Sequence, residues 1–149
     1  MQIIYYIDTC IWLNLLKKEG DDTKGIPYWK IAEAFIDYAM FTDDRYIAYS
    51  GIMLRELESK LSKQKFQDVL SMLKGEEKFR FVSVTEEDYE FAREIESKSS
   101  YGLSFYDCLH VAVCRRLNLI LITRDNLLIK SARGFIEAKK PEDEILITI

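Results

Sequence analysis

The stretch Ile3-Ile-Tyr-Tyr-Ile-Asp8 places an acidic residue directly after five apolar or aromatic residues. A short run of β-branched and aromatic residues is typical of a buried strand. Similar runs recur along the chain and alternate with segments whose apolar residues have helical spacing. This alternation predicts an α/β fold, a three-layer α/β/α sandwich with a central parallel sheet of about five strands.

The apolar patterns also predict where the individual elements lie. We expect strands at residues 3–7, 46–49, 79–84 and 119–123. The fifth strand is expected at 135–138, with 146–149 as the other candidate. Helical spacing covers residues 11–16, 29–39, the segment from the second strand to 61, 64–73, a segment starting at 85, 104–117 and 126–132. Residues 17–26 are expected to form a polar loop.

The chain of 149 residues has the length of one domain, which we expect to span residues 1–149. Its first residues lead straight into an apolar strand and lack the basic start of a signal peptide. The sequence has no apolar run long enough to cross a bilayer. We therefore expect a soluble cytoplasmic protein.

The formal net charge of −4 provides no general positive field to attract nucleic acid. Basic residues do occur in local groups, and taken singly each group is explained by a solvated helix surface. The groups are Lys17 and Lys18; Lys60, Lys63 and Lys65; and Arg115 and Arg116.

The three cysteines form no CxxC pair, and we interpret them as reduced thiols that serve as small core residues. Cys10 and Cys108 each lie close in sequence to an acidic residue. The only histidine, His110, lies one helical turn after Asp107. A Cys–His nucleophile is therefore the less favoured alternative.

Four acidic residues occur where the surrounding sequence is apolar. They are Asp8, Glu56, Asp107 and Asp125. In parallel sheets, ligands bind beyond the carboxyl ends of the strands. Asp8 and Asp125 follow predicted strands, Asp107 falls in the first turn of a helix, and Glu56 comes early in the helix after the second strand. We expect all four at the same edge.

Carboxylates gathered at one edge need a positive partner, because burying an unpaired charge is costly. Two carboxylates ~4 Å apart repel by about 4 kcal/mol at an effective dielectric near ~20. Mg²⁺ and Mn²⁺ prefer oxygen ligands and would remove that repulsion. The four acids therefore predict a metal-dependent hydrolase of phosphodiesters.

Each acid also has a structural explanation. Asp8 or Thr9 would cap the first helix, and Asp125 would cap the helix that follows it. Asp107 has the spacing of a capping box, and Glu56 could be a surface residue. Independent caps do not explain why all four acids should share one edge.

The acid of the third helix is assigned by periodicity. Glu56 lies one turn after Ile52 and Met53 and has apolar neighbours. Glu58 lies on a more polar side of the same helix, near Ser59. Periodicity thus favours Glu56 as the half-buried acid.

The segments that carry the four acids occur in a characteristic order. They are Tyr6-Ile-Asp-Thr-Cys-Ile-Trp-Leu13, Ser50-Gly-Ile-Met-Leu-Arg-Glu-Leu57, Leu103-Ser-Phe-Tyr-Asp-Cys-Leu-His-Val-Ala112 and Leu121-Ile-Thr-Arg-Asp125. In this order they resemble the motifs of the PIN domain family, and within it the VapC-type toxin ribonucleases. Lys140-Pro-Glu-Asp-Glu144 is similar to a stretch near the end of such domains.

This resemblance implies a Mg²⁺- or Mn²⁺-dependent endoribonuclease. Asp8 and Asp107 would hold the metal most directly, and Glu56 and Asp125 would complete the site or orient water. The metal would lower the pKa of a water molecule and neutralise charge on the phosphate. The expected partners are an RNA substrate, a small antitoxin protein and a second copy in a homodimer.

Three further residues are candidates for contacts with the acids or with phosphate, namely Thr9, Thr123 and Arg124. The sequence also departs from the family's pattern. Leu127 and Leu128 stand where many relatives have an acid followed by an aromatic residue, which argues against Asp125 as a direct ligand.

Two other functions remain open from the sequence. A PIN-like domain could bind RNA or metal in a regulatory or scaffold role without cleaving. A receiver-like signalling domain also gathers acids around Mg²⁺, but it needs an aspartate after its third strand. Here Thr85 and Glu86 follow that strand, so a receiver-like signalling domain is much less favoured.

Overall fold

The centre of the protein is a parallel sheet. The computed structural model describes residues 1–20, 22–99 and 102–145. Within these ranges the strands are β1 (Ile3–Ile7), β2 (Arg45–Ser50), β3 (Phe79–Val82), β4 (Ile120–Ile122) and β5 (Ala138–Lys139). They form one five-stranded sheet in the order β3-β2-β1-β4-β5, and all neighbouring strands are parallel. The predicted sheet is confirmed.

Helices connect the strands. They are α1 (Thr9–Leu16), α2 (Tyr28–Phe41), α3 (Gly51–Lys60), α4 (Lys63–Gly75), α5 (Glu86–Lys98), α6 (Phe105–Leu117), α7 (Asn126–Ala132) and α8 (Pro141–Glu144). A short 3-10 turn, Asp22–Lys24, lies in the predicted loop between α1 and α2. Among the described helices, none combines the length and apolar character needed to cross a membrane.

Alternate residues of β1 face opposite sides of the sheet, as the pleat requires. Tyr5 and Ile7 pack into a core built largely from α1, α2, α3 and α4. Tyr6 packs into a second core built largely from α5, α6 and α7. Because β1 is buried on both faces, its sequence is a continuous apolar run. The three-layer arrangement predicted from the sequence is confirmed.

The fifth strand was predicted a few residues too early. Residues 135–137 precede β5, because Phe135 N and Ile136 N both donate to Ala132 O at 2.9 and 3.0 Å and so form a turn after α7. The other candidate, residues 146–149, lies outside the described residues. The helix α8 was not predicted. Pro141 at its start and the acids of its first turn are favourable there.

The central position of β4 gives a test of the core. Leu121 is fully buried in β4, between β1 and β5. We expect Leu121→Ala to lower the free energy of unfolding by about 2–5 kcal/mol, because it leaves a cavity in a packed core. Urea denaturation measures this change. The matched control is Leu127→Ala, since Leu127 is 48% exposed; a comparable loss in the control would contradict the assignment.

Candidate active site

The order of the strands brings three carboxyl ends together. Strands β2, β1 and β4 are neighbours and run in the same direction. Asp8 follows β1 directly, and Asp125 lies three residues after the end of β4. Glu56 lies in α3, which starts immediately after β2. This geometry places all three at the carboxyl edge of the sheet.

Asp8 is held firmly in one orientation. Its carboxylate accepts from Thr9 N at 2.8 Å, so Asp8 caps α1. The same carboxylate accepts from Thr123 Oγ1 at 2.8 Å and from Cys10 Sγ at 3.5 Å. Thr123 follows β4, and its bond therefore ties the ends of two adjacent strands together.

Thr9 contacts Asp8 through its backbone N, which donates to the Asp8 carboxylate. Its own hydroxyl is buried and has no hydrogen-bond partner among the described residues. A buried polar atom without a partner is unfavourable and is uncommon in folded proteins. The orphan hydroxyl lies next to Asp8 in the chain and could meet a water molecule or a ligand group.

Asp107 lies in the first turn of α6, and its pKa is influenced by Asp8. Its carboxylate accepts from Ser104 N at 3.4 Å, and Ser104 Oγ accepts from Asp107 N at 3.1 Å, which forms the predicted capping box. Burial raises the pKa of Asp107, and the negative charge of Asp8 raises this pKa further. The negative charges of Asp8 and Asp107 therefore disfavour each other in the folded protein.

No described cation neutralises this pair directly. Within residues 1–20, 22–99 and 102–145, the ion pairs with a nitrogen and an oxygen within 4.0 Å involve neither Asp8 nor Asp107. The negative charges of Asp8 and Asp107 are therefore not offset by an ion pair among these residues.

Glu56 is half-buried and makes a contact that the sequence analysis missed. Glu56 Oε1 lies 2.7 Å from Nε2 of His110, whose side chain is 1% exposed. Glu58, in contrast, is exposed, so the choice of Glu56 as the half-buried acid is confirmed. The helical spacing of Asp107 and His110 was visible in the sequence, but the contact with α3 was not.

A cysteine nucleophile does not fit this arrangement. His110 uses Nε2 with Glu56 and Nδ1 with Tyr6 Oη, which leaves neither ring nitrogen for a thiol. Burial raises the pKa of Cys10 to about 12 and the pKa of Cys108 to about 11. Both thiols stay protonated at neutral pH, as expected of small core residues.

Asp125 turns toward its own helix. Its Oδ1 accepts from Leu127 N at 3.0 Å and from Leu128 N at 3.1 Å, so the residue caps α7. Its backbone N donates to Thr123 Oγ1 at 3.2 Å. Thr123 therefore connects Asp125 to Asp8, while one of the two carboxylate oxygens of Asp125 is used by the cap.

Arg124 packs away from open solvent. Its guanidinium donates to Glu142 Oε2 at 3.0 Å and lies 4.1 Å from the ring centroid of Tyr28. The side chain is 12% exposed. In this arrangement Arg124 joins α8 to the start of α2 and presents little surface to a phosphate.

The donor set suits a hard divalent cation at a partly assembled site. Among the described residues, no group of three or more His, Cys, Asp and Glu side chains is placed to hold a metal ion. Mg²⁺, however, is commonly bound through one or two carboxylates and keeps several waters. Asp8 and Asp107 supply two carboxylates of the type that such an ion binds.

The fold and the acidic edge define a three-layer α/β/α domain with carboxylates beyond the carboxyl ends of its parallel strands. The family model for the PIN domain matches residues 5–134, and the chain belongs to the PIN domain family. No curated protein sequence matches the chain significantly.

Solved structures share this fold. VapC20 from Mycobacterium tuberculosis, described as a sarcin-ricin loop cleaving toxin, has 21% identity and a TM-score of 0.65, covering 90% of this chain and 97% of that chain. VapBC2 from Rickettsia felis, bound to a promoter DNA fragment, has 20% identity and a TM-score of 0.62, covering 93% and 98%. A toxin–antitoxin complex from Klebsiella pneumoniae has 17% identity and a TM-score of 0.59, covering 92% and 97%.

The repulsion between Asp8 and Asp107 predicts a pH-dependent gain of stability. In metal-free buffer we expect Asp107→Asn to melt at a higher temperature than the unaltered protein, because the amide oxygen still accepts from Ser104 N but carries no charge. The pKa of Asp107 is raised in the folded state, so the unaltered protein loses stability as the pH rises through that value. Thermal melts from about pH 2 upward, starting well below the ordinary pKa of an aspartate, measure the difference.

The gain should be absent at the acid end, where the carboxyl group is protonated in both states, and should grow with pH. Asp43→Asn is the control, since Asp43 is exposed. Equal melting temperatures of Asp107→Asn and the unaltered protein at alkaline pH would contradict the repulsion.

Proposed function

We propose that the chain is a divalent-metal-dependent endoribonuclease that hydrolyses RNA phosphodiester bonds and acts as the toxin of a toxin–antitoxin pair. The observation that carries this proposal is that Asp8 and Asp107 cap neighbouring helix starts, where the charge of Asp8 contributes to the raised pKa of Asp107 and no ion pair among the described residues involves either acid. Membership of the PIN domain family supports the same function. We further propose that residues 1–149 act as a single domain.

The acids have separate roles in this proposal. Asp8 and Asp107 hold the metal, Mg²⁺ or Mn²⁺, because both ions prefer oxygen donors. When bound, such an ion lowers the pKa of water and offsets charge on the phosphate. Thr123 fixes the direction of the Asp8 carboxylate, and Glu56 accepts a proton or hydrogen bond from the attacking water. Asp125 caps α7 and donates from its backbone N to Thr123, and it thereby stabilises the carboxyl edge of the sheet.

A basic surface near the acids supports RNA as the substrate. Lys17 and Lys18 are exposed at the end of α1, the helix that Asp8 caps. Lys65 of α4 donates from Nζ to Leu16 O at 3.3 Å, which brings two basic groups of the sequence to one place. Eight helical residues span about 12 Å, so these lysines can contact phosphates of the same RNA strand that are a few nucleotides from the scissile bond.

The partners proposed are a small antitoxin and a second copy of the chain. Similar structures described as a toxin–antitoxin complex and as VapBC2 bound to promoter DNA support the antitoxin. The sarcin-ricin loop cleaved by VapC20 supports structured RNA as the substrate class.

A second function is favoured by one observation. The described residues contain no preassembled group of three or more possible metal ligands. A PIN domain that binds RNA or metal in a regulatory or scaffold role, without cleavage, would need no such group.

A nuclease assay distinguishes the two functions. We expect the protein to cleave RNA with Mg²⁺ or Mn²⁺ and to lose this activity with a chelator. Asp8→Asn should lower the rate by more than about 100-fold, which exceeds the usual loss for residues that only orient a ligand. Gel analysis of end-labelled structured RNA measures cleavage. Glu58→Gln in the same helix as Glu56 serves as the control and should cleave normally.

Equal cleavage by the unaltered protein and Asp8→Asn would trace the activity to a contaminant and remove the nuclease function. RNA binding that is retained by both proteins without any cleavage would support the regulatory function instead.

The toxin role has its own test. Production of the unaltered protein in bacterial cells should arrest growth, whereas production of Asp8→Asn should not. Co-expression of a short reading frame adjacent to the gene should restore growth and yield a complex on purification. Normal growth together with cleavage in vitro would instead favour a role in RNA processing.

A further inference from the structure

Hydrogen bonds connect Glu56 to the interior of the protein. Beyond the 2.7 Å contact of Glu56 Oε1 with His110 Nε2, the Nδ1 atom of His110 lies 2.6 Å from Tyr6 Oη. Tyr6 Oη in turn lies 2.6 Å from Ser50 Oγ. Tyr6 and Ser50 are fully buried and His110 is 1% exposed, whereas the side chain of Glu56 is 34% exposed. We call these three inner residues the Ser50–Tyr6–His110 relay.

The donors and acceptors of the relay balance in one direction. Ser50 Oγ accepts from Met53 N at 3.3 Å, because Ser50 caps α3, and its own hydrogen is left for Tyr6 Oη. Tyr6 then donates to Nδ1 of His110, and the ring hydrogen on Nε2 goes to Glu56 Oε1. If Nδ1 of His110 instead donated to Tyr6 Oη, Tyr6 would donate to Ser50 Oγ. The buried hydroxyl hydrogen of Ser50 would then have no acceptor within the relay, which is costly.

The relay also joins the elements that carry the acids. Tyr6 lies on β1, two residues before Asp8. Ser50 ends β2 and starts the helix that carries Glu56. His110 lies one turn after Asp107 on α6. A single chain of hydrogen bonds thus relates the positions of β1, α3 and α6 at the carboxyl edge.

We propose that the Ser50–Tyr6–His110 relay is a positioning device for Glu56. It holds the imidazole as the tautomer with hydrogen on Nε2, which binds Glu56 Oε1 and leaves Oε2 to face the reacting water or substrate. His110 is therefore a positioning residue and not a catalytic one. This inference rests on the proposed function of Glu56 in the nuclease, but its geometry is testable without activity.

The single histidine of the chain makes the tautomer directly observable. In protein labelled with ¹⁵N-histidine at about pH 8, well above the ordinary histidine pKa, we expect a protonated Nε2 and an unprotonated Nδ1. Tyr6→Phe should weaken this preference, because Nδ1 loses its donor while the Glu56 carboxylate still accepts from Nε2. A ring protonated on Nδ1, or on both nitrogens, in the unaltered protein would overturn the relay whatever the nuclease assay shows.

Added Mn²⁺ reports whether the relay adjoins the metal. We expect substoichiometric Mn²⁺ to broaden the His110 ring signals in the unaltered protein and not in Asp8→Asn. Broadening that is equal in the two proteins, or absent in both although calorimetry shows Mn²⁺ binding, would separate the relay from the metal site and overturn the inference. If calorimetry shows no binding, the metal-dependent function fails as well, while the tautomer measurement still tests the relay.

A matched pair of variants tests positioning against packing. The amide nitrogen of Gln can take the place of Nε2, whereas the shorter Asn reaches only the place of Nδ1. We expect His110→Gln to keep kcat within a few-fold and His110→Asn to lower kcat by about 10- to 100-fold with little change in KM, as is usual when the partner of a functional group is lost. Both variants should have similar melting temperatures.

Equal kcat values for two folded variants would overturn the positioning role. If both variants unfold, the tautomer of the unaltered protein and of Tyr6→Phe decides the question. If the unaltered protein cleaves no RNA, the proposed function fails. The relay is then tested only by the tautomer of the His110 ring, measured by NMR.

Discussion

The repulsion between Asp8 and Asp107 is the constraint on which the rest of the site depends. Asp8 follows β1 directly and Asp107 lies in the first turn of α6, where burial and the charge of Asp8 both raise the pKa of Asp107. Backbone donors hold each carboxylate in place, but hydrogen bonds do not remove the like charge. A fold that keeps such a pair gives up some stability when no cation is bound, and this is common at functional sites.

Helix capping and the acidic edge use the same residues. Asp8, Asp107 and Asp125 each accept hydrogen bonds from the backbone at the start of a helix, where a negative charge is also favoured by the helix dipole. The structural explanation and the functional explanation of these acids are therefore compatible. Capping fixes where each carboxylate lies, and the shared edge determines which carboxylates face each other.

The sequence predicted what depends on local pattern. The bounds of β1 and α7 agree with the apolar runs, and the capping box at Ser104 was visible from its spacing. The fifth strand was misplaced because the turn after α7 uses apolar residues, which resemble a strand in the sequence. The bond between Glu56 and His110 joins residues 54 positions apart, so no local pattern could indicate it.

Because a local pattern does not report contacts between distant residues, the sequence indicated candidate acids but not the orientations of their carboxylates. Glu56 is bound by His110 and Asp125 by the start of α7, so neither carboxylate is fully free to join Asp8 and Asp107. A divalent ion that keeps most of its waters needs only the central pair, and the outer acids can then act on those waters. Each of the contacts with His110 and α7 uses one carboxylate oxygen, so the second oxygen of Glu56 and of Asp125 is not held by a hydrogen bond among the described residues. Hydrogen bonds thus fix one oxygen of Glu56 and one of Asp125, while Thr9 and Thr123 fix the direction of the Asp8 carboxylate.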